Sequence, residues 1–128
     1  MILLDTHIWI WWTNGSLNTE HSKLIAYHQH KGFAISIISC WEVAKLVEYN
    51  RLELRCSVNE WLKKAIAKPK FYLLDIDIPI LVESTQLPQP FHRDPADQII
   101  VATARIHDLP LFTVDQKILN YPHVKTLS

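Results

Sequence analysis

Five short apolar runs divide the chain: "MILL" at the start, "FAIS" (33–36), "FYLL" (71–74), "LFT" (111–113) and "VKT" (124–126). Each is too short for a helix and rich in strand-forming residues. Between them lie stretches with helical periodicity, roughly 7–14, 19–30, 39–49, 57–67, 77–85, 95–108 and 115–120. Parallel strands need crossover connections, which helices supply. Strands alternating with helices therefore predict a single α/β domain over residues 1–128, an α/β/α sandwich around a five-stranded, mostly parallel sheet.

Composition narrows the function. The sequence holds only two glycines, Gly15 and Gly32. Neither a GxGxxG turn nor a GxxxxGK[ST] phosphate loop can be assembled from them. Thirteen basic residues balance thirteen acidic ones, so nucleic-acid binding would rest on a local patch instead of a global field. Apolar stretches such as "IWIWW" fall far short of the roughly 18 residues of a membrane span. Cys40 and Cys56 lack metal-ligand spacing, and two cysteines without a signal peptide favour reduced thiols in a cytoplasmic protein; Cys40 is expected in the core.

Helix starts are legible. Ser39-Cys-Trp-Glu42 and Ser57-Val-Asn-Glu60 have the S-x-x-E form of a capping box. Asp94-Pro95 places a capping residue before a proline at the first helical position. Gly32 is suited to end the second helix.

The acids are the informative part. Asp5 follows the first strand, Glu42 falls in the first turn after the second, Asp97 follows the proline-rich segment 86–95, and Asp115 lies two residues after "LFT". Each has an ordinary explanation as a cap or as a favourable charge at a helix N-terminus. What capping leaves unexplained is the set. In a parallel sheet the strand C-termini share one edge, where ligands bind. Carboxylates gathered there repel one another unless a cation neutralises them. An all-oxygen donor set without a cysteine cluster suits Mg²⁺ or Mn²⁺. Such an ion can activate water for phosphodiester hydrolysis.

The segments "LLDTHIWIWW", "ISIISCWEVAKL" and "DPADQIIVATARIHDLPLFTVDQKIL" resemble, in order and over nearly the whole chain, the three blocks of PIN-domain proteins, specifically VapC-type ribonuclease toxins of toxin–antitoxin pairs. The resemblance implies a five-stranded parallel sheet with an acidic pocket and a metal-dependent endoribonuclease acting on tRNA or ribosomal RNA. It places the family's four acids on Asp5, Glu42, Asp97 and Asp115, with Asp5, Asp97 and Asp115 toward the metal. Asp94 matches the extra acid of a D-P-x-D sequence, while Thr6, Ser39 and Thr113 match hydroxyl positions near the pocket. It further implies a VapB-type antitoxin partner, a homodimer, and DNA contact only through the antitoxin.

Lys45, one turn beyond Glu42, and Arg93, beside Asp94, are the basic residues nearest the acids and the candidates for RNA phosphate contact. The denser run Lys63, Lys64, Lys68, Lys70 reads better as a solvated helix face. His7 and His92 flank acids but default to surface or hydrogen-bonded roles. Trp9, Trp11 and Trp12 cannot share one helix face, so some exposure is expected, with at least two in the core. Two alternatives compete. A noncatalytic PIN-scaffold binding or repressor subunit would not need intact acids. A metal-dependent phosphatase with an aspartyl nucleophile would carry D-x-D at the first strand, where this chain has Asp5-Thr6-His7.

Overall fold

A computed structural model describes all 128 residues, Met1–Ser128. The strands are β1 (Ile2–Leu4), β2 (Phe33–Ser36), β3 (Phe71–Leu74), β4 (Leu111–Phe112) and β5 (Thr126–Leu127). They form one sheet in the order β3-β2-β1-β4-β5, and every neighbouring pair is parallel. The helices are α1 (Thr6–Thr13), α2 (Thr19–His28), α3 (Ile37–Glu48), α4 (Val58–Ile66), α5 (Ile78–Thr85), α6 (Pro95–Ile106) and α7 (Gln116–Leu119), with a 3₁₀ turn at Gln29–Lys31. The expected α/β sandwich is present, and its sheet is parallel throughout.

Strand alternation builds both layers. Side chains along a strand point to opposite faces in turn. Ile2, Leu4, Phe33, Ile35 and Phe112 accordingly join one apolar cluster with residues of α1, α2, α3 and α4. Leu3, Ala34 and Leu111 face the other way and join a second cluster with residues of α5, α6 and α7. Because helices cover both faces, β1 is apolar at every position, as parallel strands require.

Several boundaries differ from the sequence reading. Helix α3 begins at Ile37, two residues before Ser39, and its N-cap is Ser36, whose hydroxyl accepts from the Ile38 N–H at 3.2 Å. Ser39 and Glu42 are thus inside the helix and form no capping box. At α4, Ser57 is the N-cap and accepts from the Glu60 N–H, as the motif predicts. Asp94 caps α6 with Pro95 at the first position. Helix α2 ends early, tightening into the 3₁₀ turn before Gly32, and β5 starts at Thr126, later than "VKT" implies.

Of the three neighbouring tryptophans, Trp9 is fully buried, while Trp11 and Trp12 are half-buried and pack against the same cluster. Cys40 is half-buried at that cluster's margin, and both cysteines are free. Lys68 departs from a solvated face: its ammonium lies 3.8 Å from the Trp12 ring centroid and donates to Thr13 at 3.0 Å.

Strand order fixes the position of the site. From β1 the chain moves outward through β2 and β3, then returns to build β4 and β5 on the other side of β1. The reversal leaves a crevice at the C-terminal ends of β1 and β4.

Candidate active site

Five carboxylates from separate parts of the sequence line one cavity of about 340 Å³ at this crevice: Asp5, Glu42, Asp94, Asp97 and Asp115. Thr6, His7 and Trp11 contribute to its wall. Asp5 arrives from the end of β1, Glu42 from the second turn of α3, Asp94 and Asp97 from the start of α6, and Asp115 from the cap of α7.

Two hydroxyl networks engage three of these residues, Asp5, Asp115 and Glu42. Thr113, fully buried after β4, donates to Asp5 Oδ2 at 2.7 Å and accepts from the Asp115 N–H at 3.1 Å. The Thr6 N–H donates to Asp5 Oδ1 at 2.8 Å. The Thr6 hydroxyl also lies 2.5 Å from Glu42 Oε1 and 2.8 Å from the Ser39 hydroxyl. A hydroxyl has one proton to give. When Glu42 is ionised, Thr6 donates to it and Ser39 donates to Thr6; when Glu42 is protonated, the chain can run the other way.

Burial and mutual repulsion act together on the carboxyls. Glu42 is pushed up to about 7, first by burial, with Asp5, Asp97 and Asp94 adding to the rise and the Thr6 hydroxyl opposing it. Asp5 is 8% exposed and is also raised, by burial above all and slightly by Asp115, against the bonds from Thr113 and Thr6. Asp97 is raised by burial and by Asp94 and Asp5. His92 opposes that rise: its Nε2 lies 2.7 Å from Asp97 Oδ2, with both side chains mostly shielded from solvent.

Each residue expected at the site has a definite place. The four principal acids and Asp94 share the cavity; Thr6 lines it, and Thr113 and Ser39 stand behind it holding Asp5 and Thr6. Lys45 lines an adjoining cavity and pairs with Glu48 at 2.8 Å. Arg93 is exposed and lines neither cavity. The direct His92–Asp97 contact is the feature that sequence left at a default role. The five-residue separation across a proline loop gives no periodic signal for it.

The residues suit a hard divalent ion by their chemistry. All candidate donors are oxygens, and at least three of the acids are raised in the absence of a neutralising charge. No three acidic, histidine or cysteine side chains stand close enough together to hold one metal ion between them. A small divalent ion commonly takes one or two carboxylates and keeps its waters, so a closed cage is not required.

Comparison with known proteins agrees with this architecture. The chain is 28% identical over 127 residues to "Ribonuclease VapC22" of Mycobacterium tuberculosis, spanning 99% of this chain and 96% of that one. Its fold matches a toxin–antitoxin complex from Klebsiella pneumoniae with a TM-score of 0.68 at 24% identity, over 100% of this chain and 97% of that chain. It matches VapBC2 from Rickettsia felis, solved bound to a DNA fragment from their promoter, with a TM-score of 0.73 at 16% identity, over 99% of this chain and 98% of that chain. The PIN domain model matches residues 2–124, and with nearly the whole length accounted for, the chain belongs to the PIN domain family.

Proposed function

We propose that this protein is a metal-dependent endoribonuclease, the toxin of a toxin–antitoxin pair. The observation that carries this reading is the shared cavity of Asp5, Glu42, Asp94, Asp97 and Asp115 at the C-terminal edge of the sheet. Its similarity to a ribonuclease of the VapC type supports the substrate class.

Asp5, Asp97 and Asp115 would hold Mg²⁺ or Mn²⁺. The ion would supply Lewis acidity, favouring ionisation of a water and offsetting negative charge at the phosphodiester. Thr113 and the Thr6 N–H fix both oxygens of Asp5, so this carboxylate meets its ligand without losing further rotamer freedom. His92 orients Asp97 in the same way. Glu42 is the group suited to take the proton of the attacking water, on Oε2, the oxygen not engaged by Thr6. Its value near 7 lets it accept and release a proton at neutral pH. The Ser39–Thr6 pair holds it in either protonation state.

The RNA would be of the tRNA or ribosomal class. The partners would be a VapB-type antitoxin, through which the protein meets DNA, and a second copy of this chain. Ile78, Leu81 and Val82, one apolar face of α5 that stays exposed, support self-association. No helix is long and apolar enough to cross a membrane.

The deciding experiment incubates the purified protein, freed of any partner, with total tRNA and ribosomal RNA in Mn²⁺, Mg²⁺ or EDTA, beside Asp5→Asn and Asp97→Asn. Discrete fragments that vanish with EDTA and in both variants are expected. Cleavage that persists in the variants, or in EDTA, would overturn the proposal.

A further inference from the structure

A second cavity, of about 260 Å³, opens beside the acids and shares Glu42 and Asp94 with them. Its remaining lining is of a different kind: Trp41, Lys45, Tyr49 and Arg51 are the prominent side chains. Trp41, Lys45 and Tyr49 are spaced four apart on α3 and its cap, so they stand in a row on one helix face. Trp41 is 53% exposed and Tyr49 64%, a large aromatic surface that the fold leaves uncovered. The Lys45 ammonium lies 5.8 Å from the Trp41 ring and 5.4 Å from the Tyr49 ring, between the two.

Arg51 sits where the helix ends. Asn50 takes a left-handed conformation, with φ of 57°, and the Arg51 N–H closes back on the Leu46 carbonyl at 2.8 Å. Those bonds fix the backbone from which the guanidinium extends. Arg51 forms no ion pair, unlike Lys45, which is held by Glu48.

We propose that this cavity is a nucleobase subsite: one unpaired nucleotide of the RNA, next to the scissile phosphate, stacks its base on Trp41 and Tyr49 and sets its phosphate against Arg51 and Lys45. The inference rests on the ribonuclease reading and names how that site selects its substrate. Charge separates the candidate occupants. An acidic peptide would meet Glu42 and Asp94 on the shared wall, and a basic one would meet Arg51 and Lys45. A nucleotide carries a flat apolar face and a single anionic group one sugar away, matching exposed aromatic rings with Lys45 between them and Arg51 just past the helix end. Bases in a duplex are already stacked and cannot enter, so the subsite selects single-stranded loops or ends.

The test measures anisotropy of a labelled single-stranded oligoribonucleotide of mixed sequence, in an Asp97→Asn background with Mg²⁺, so that the strand is bound without being cut. Trp41→Ala and Tyr49→Ala should each weaken binding by about tenfold, the loss typical of one base–aromatic stack. Trp41→Phe should retain most of the affinity, and Arg51→Gln should flatten the dependence of log Kd on log salt by about 0.7, one phosphate contact. The same sequence as a duplex should not distinguish Trp41→Ala from its parent. Thermal melting confirms that each variant is folded. If both alanine variants bind the single strand as their parent does, the subsite is wrong. It is equally wrong if Trp41→Ala keeps its RNA affinity but loses its complex with the antitoxin, since the surface then belongs to a protein partner. Wild-type cleavage of total RNA separates the two levels: cleavage with unaffected variants removes only the subsite, while absent cleavage removes the ribonuclease reading as well.

Discussion

Thr113 donates its hydroxyl to Asp5 across 108 positions of sequence, joining the end of β4 to the end of β1 with one 2.7 Å bond. Both residues are buried, and the Thr113 oxygen also takes the Asp115 N–H. Replacing it with the isosteric valine keeps the shape and removes the donor. Thr113→Val should destabilise the fold by about 1.5–3 kcal/mol, the range for losing a hydrogen bond to a charged group. Urea unfolding at neutral pH measures this. Because the Thr113 bond holds the Asp5 carboxyl down, NMR titration of Asp5 should also show a further rise. Thr113→Ser should restore most of both.

Glu42 makes the ion-free protein less stable as pH rises. Its ordinary value of 4.5 is pushed up to about 7 in the fold, so between these values the folded state holds more protons than the unfolded one. Stability contributed by this group is therefore lost as pH climbs through that window. Asp5 and Asp97 are raised as well and act in the same direction. After discounting for solvent at its open side, Glu42 alone accounts for about 2 kcal/mol. In EDTA, wild type should melt at a lower temperature at pH 8 than at pH 5, and Glu42→Gln should reduce that difference. The same variant should lose about 100-fold or more in RNA cleavage, the scale of a missing general base. A variant that gains stability while losing activity would mark Glu42 as functional; loss of both would return it to a structural role.

Ser36 and Ser39 show what the sequence could and could not disclose. The S-x-x-E spacing is a genuine cap at Ser57, yet the same spacing at Ser39 falls inside a helix whose cap is Ser36. Local pattern cannot tell them apart, because Ser39 is claimed by Thr6, a residue 33 positions away. The five mostly parallel strands and the meeting of Asp5, Glu42, Asp97 and Asp115 at one edge were legible, since apolar runs followed by acids put those acids there; the strand order β3-β2-β1-β4-β5 was not, because no local pattern says which strands pair. The His92–Asp97 pair and the absence of Arg93 from the cavity lining were not legible either, since both depend on the path of a proline-rich loop. The two serines should separate in experiment. Ser36→Ala should cost about 1 kcal/mol as a lost cap and leave kcat nearly unchanged. Ser39→Ala should alter the pH dependence of cleavage by disturbing the Thr6–Glu42 chain.

Gly32 provides a control far from the acids. It ends the 3₁₀ turn with φ of 87°, and a Cβ there would meet the Lys70 carbonyl at 2.9 Å, in backbone that pairs β2 with β3. Positive φ alone disfavours an L side chain by about 1–2 kcal/mol. The close approach adds to that. Gly32→Ala should lower the melting temperature of the protein while leaving the stabilisation gained from a divalent ion unchanged, because the strained end of β2 is opposite the cavity.

That ion-induced stabilisation is itself a quantity the carboxylates dictate. A ligand that binds only the folded state stabilises it by about 2.7 kcal/mol when present at roughly 100 times its Kd. Mg²⁺ or Mn²⁺ at millimolar concentration should therefore raise the melting temperature of the wild type. Protons compete with the ion for Asp5 and Asp97, both raised, and the neighbouring Glu42 adds its negative charge only above about pH 7, so the rise should be larger at pH 8 than at pH 5.5. Asp97→Asn should melt higher than wild type in EDTA, because a raised, largely buried carboxylate has been neutralised, whereas Asp5→Asn also sets an amide NH₂ against the Thr6 N–H or the Thr113 hydroxyl and forfeits that gain; each variant should gain less from the ion. Calorimetric scans with and without Mn²⁺ decide the matter. If wild type gains nothing at either pH, the acids do not form a metal site; if the asparagine variants gain as much as wild type, the ion is held elsewhere.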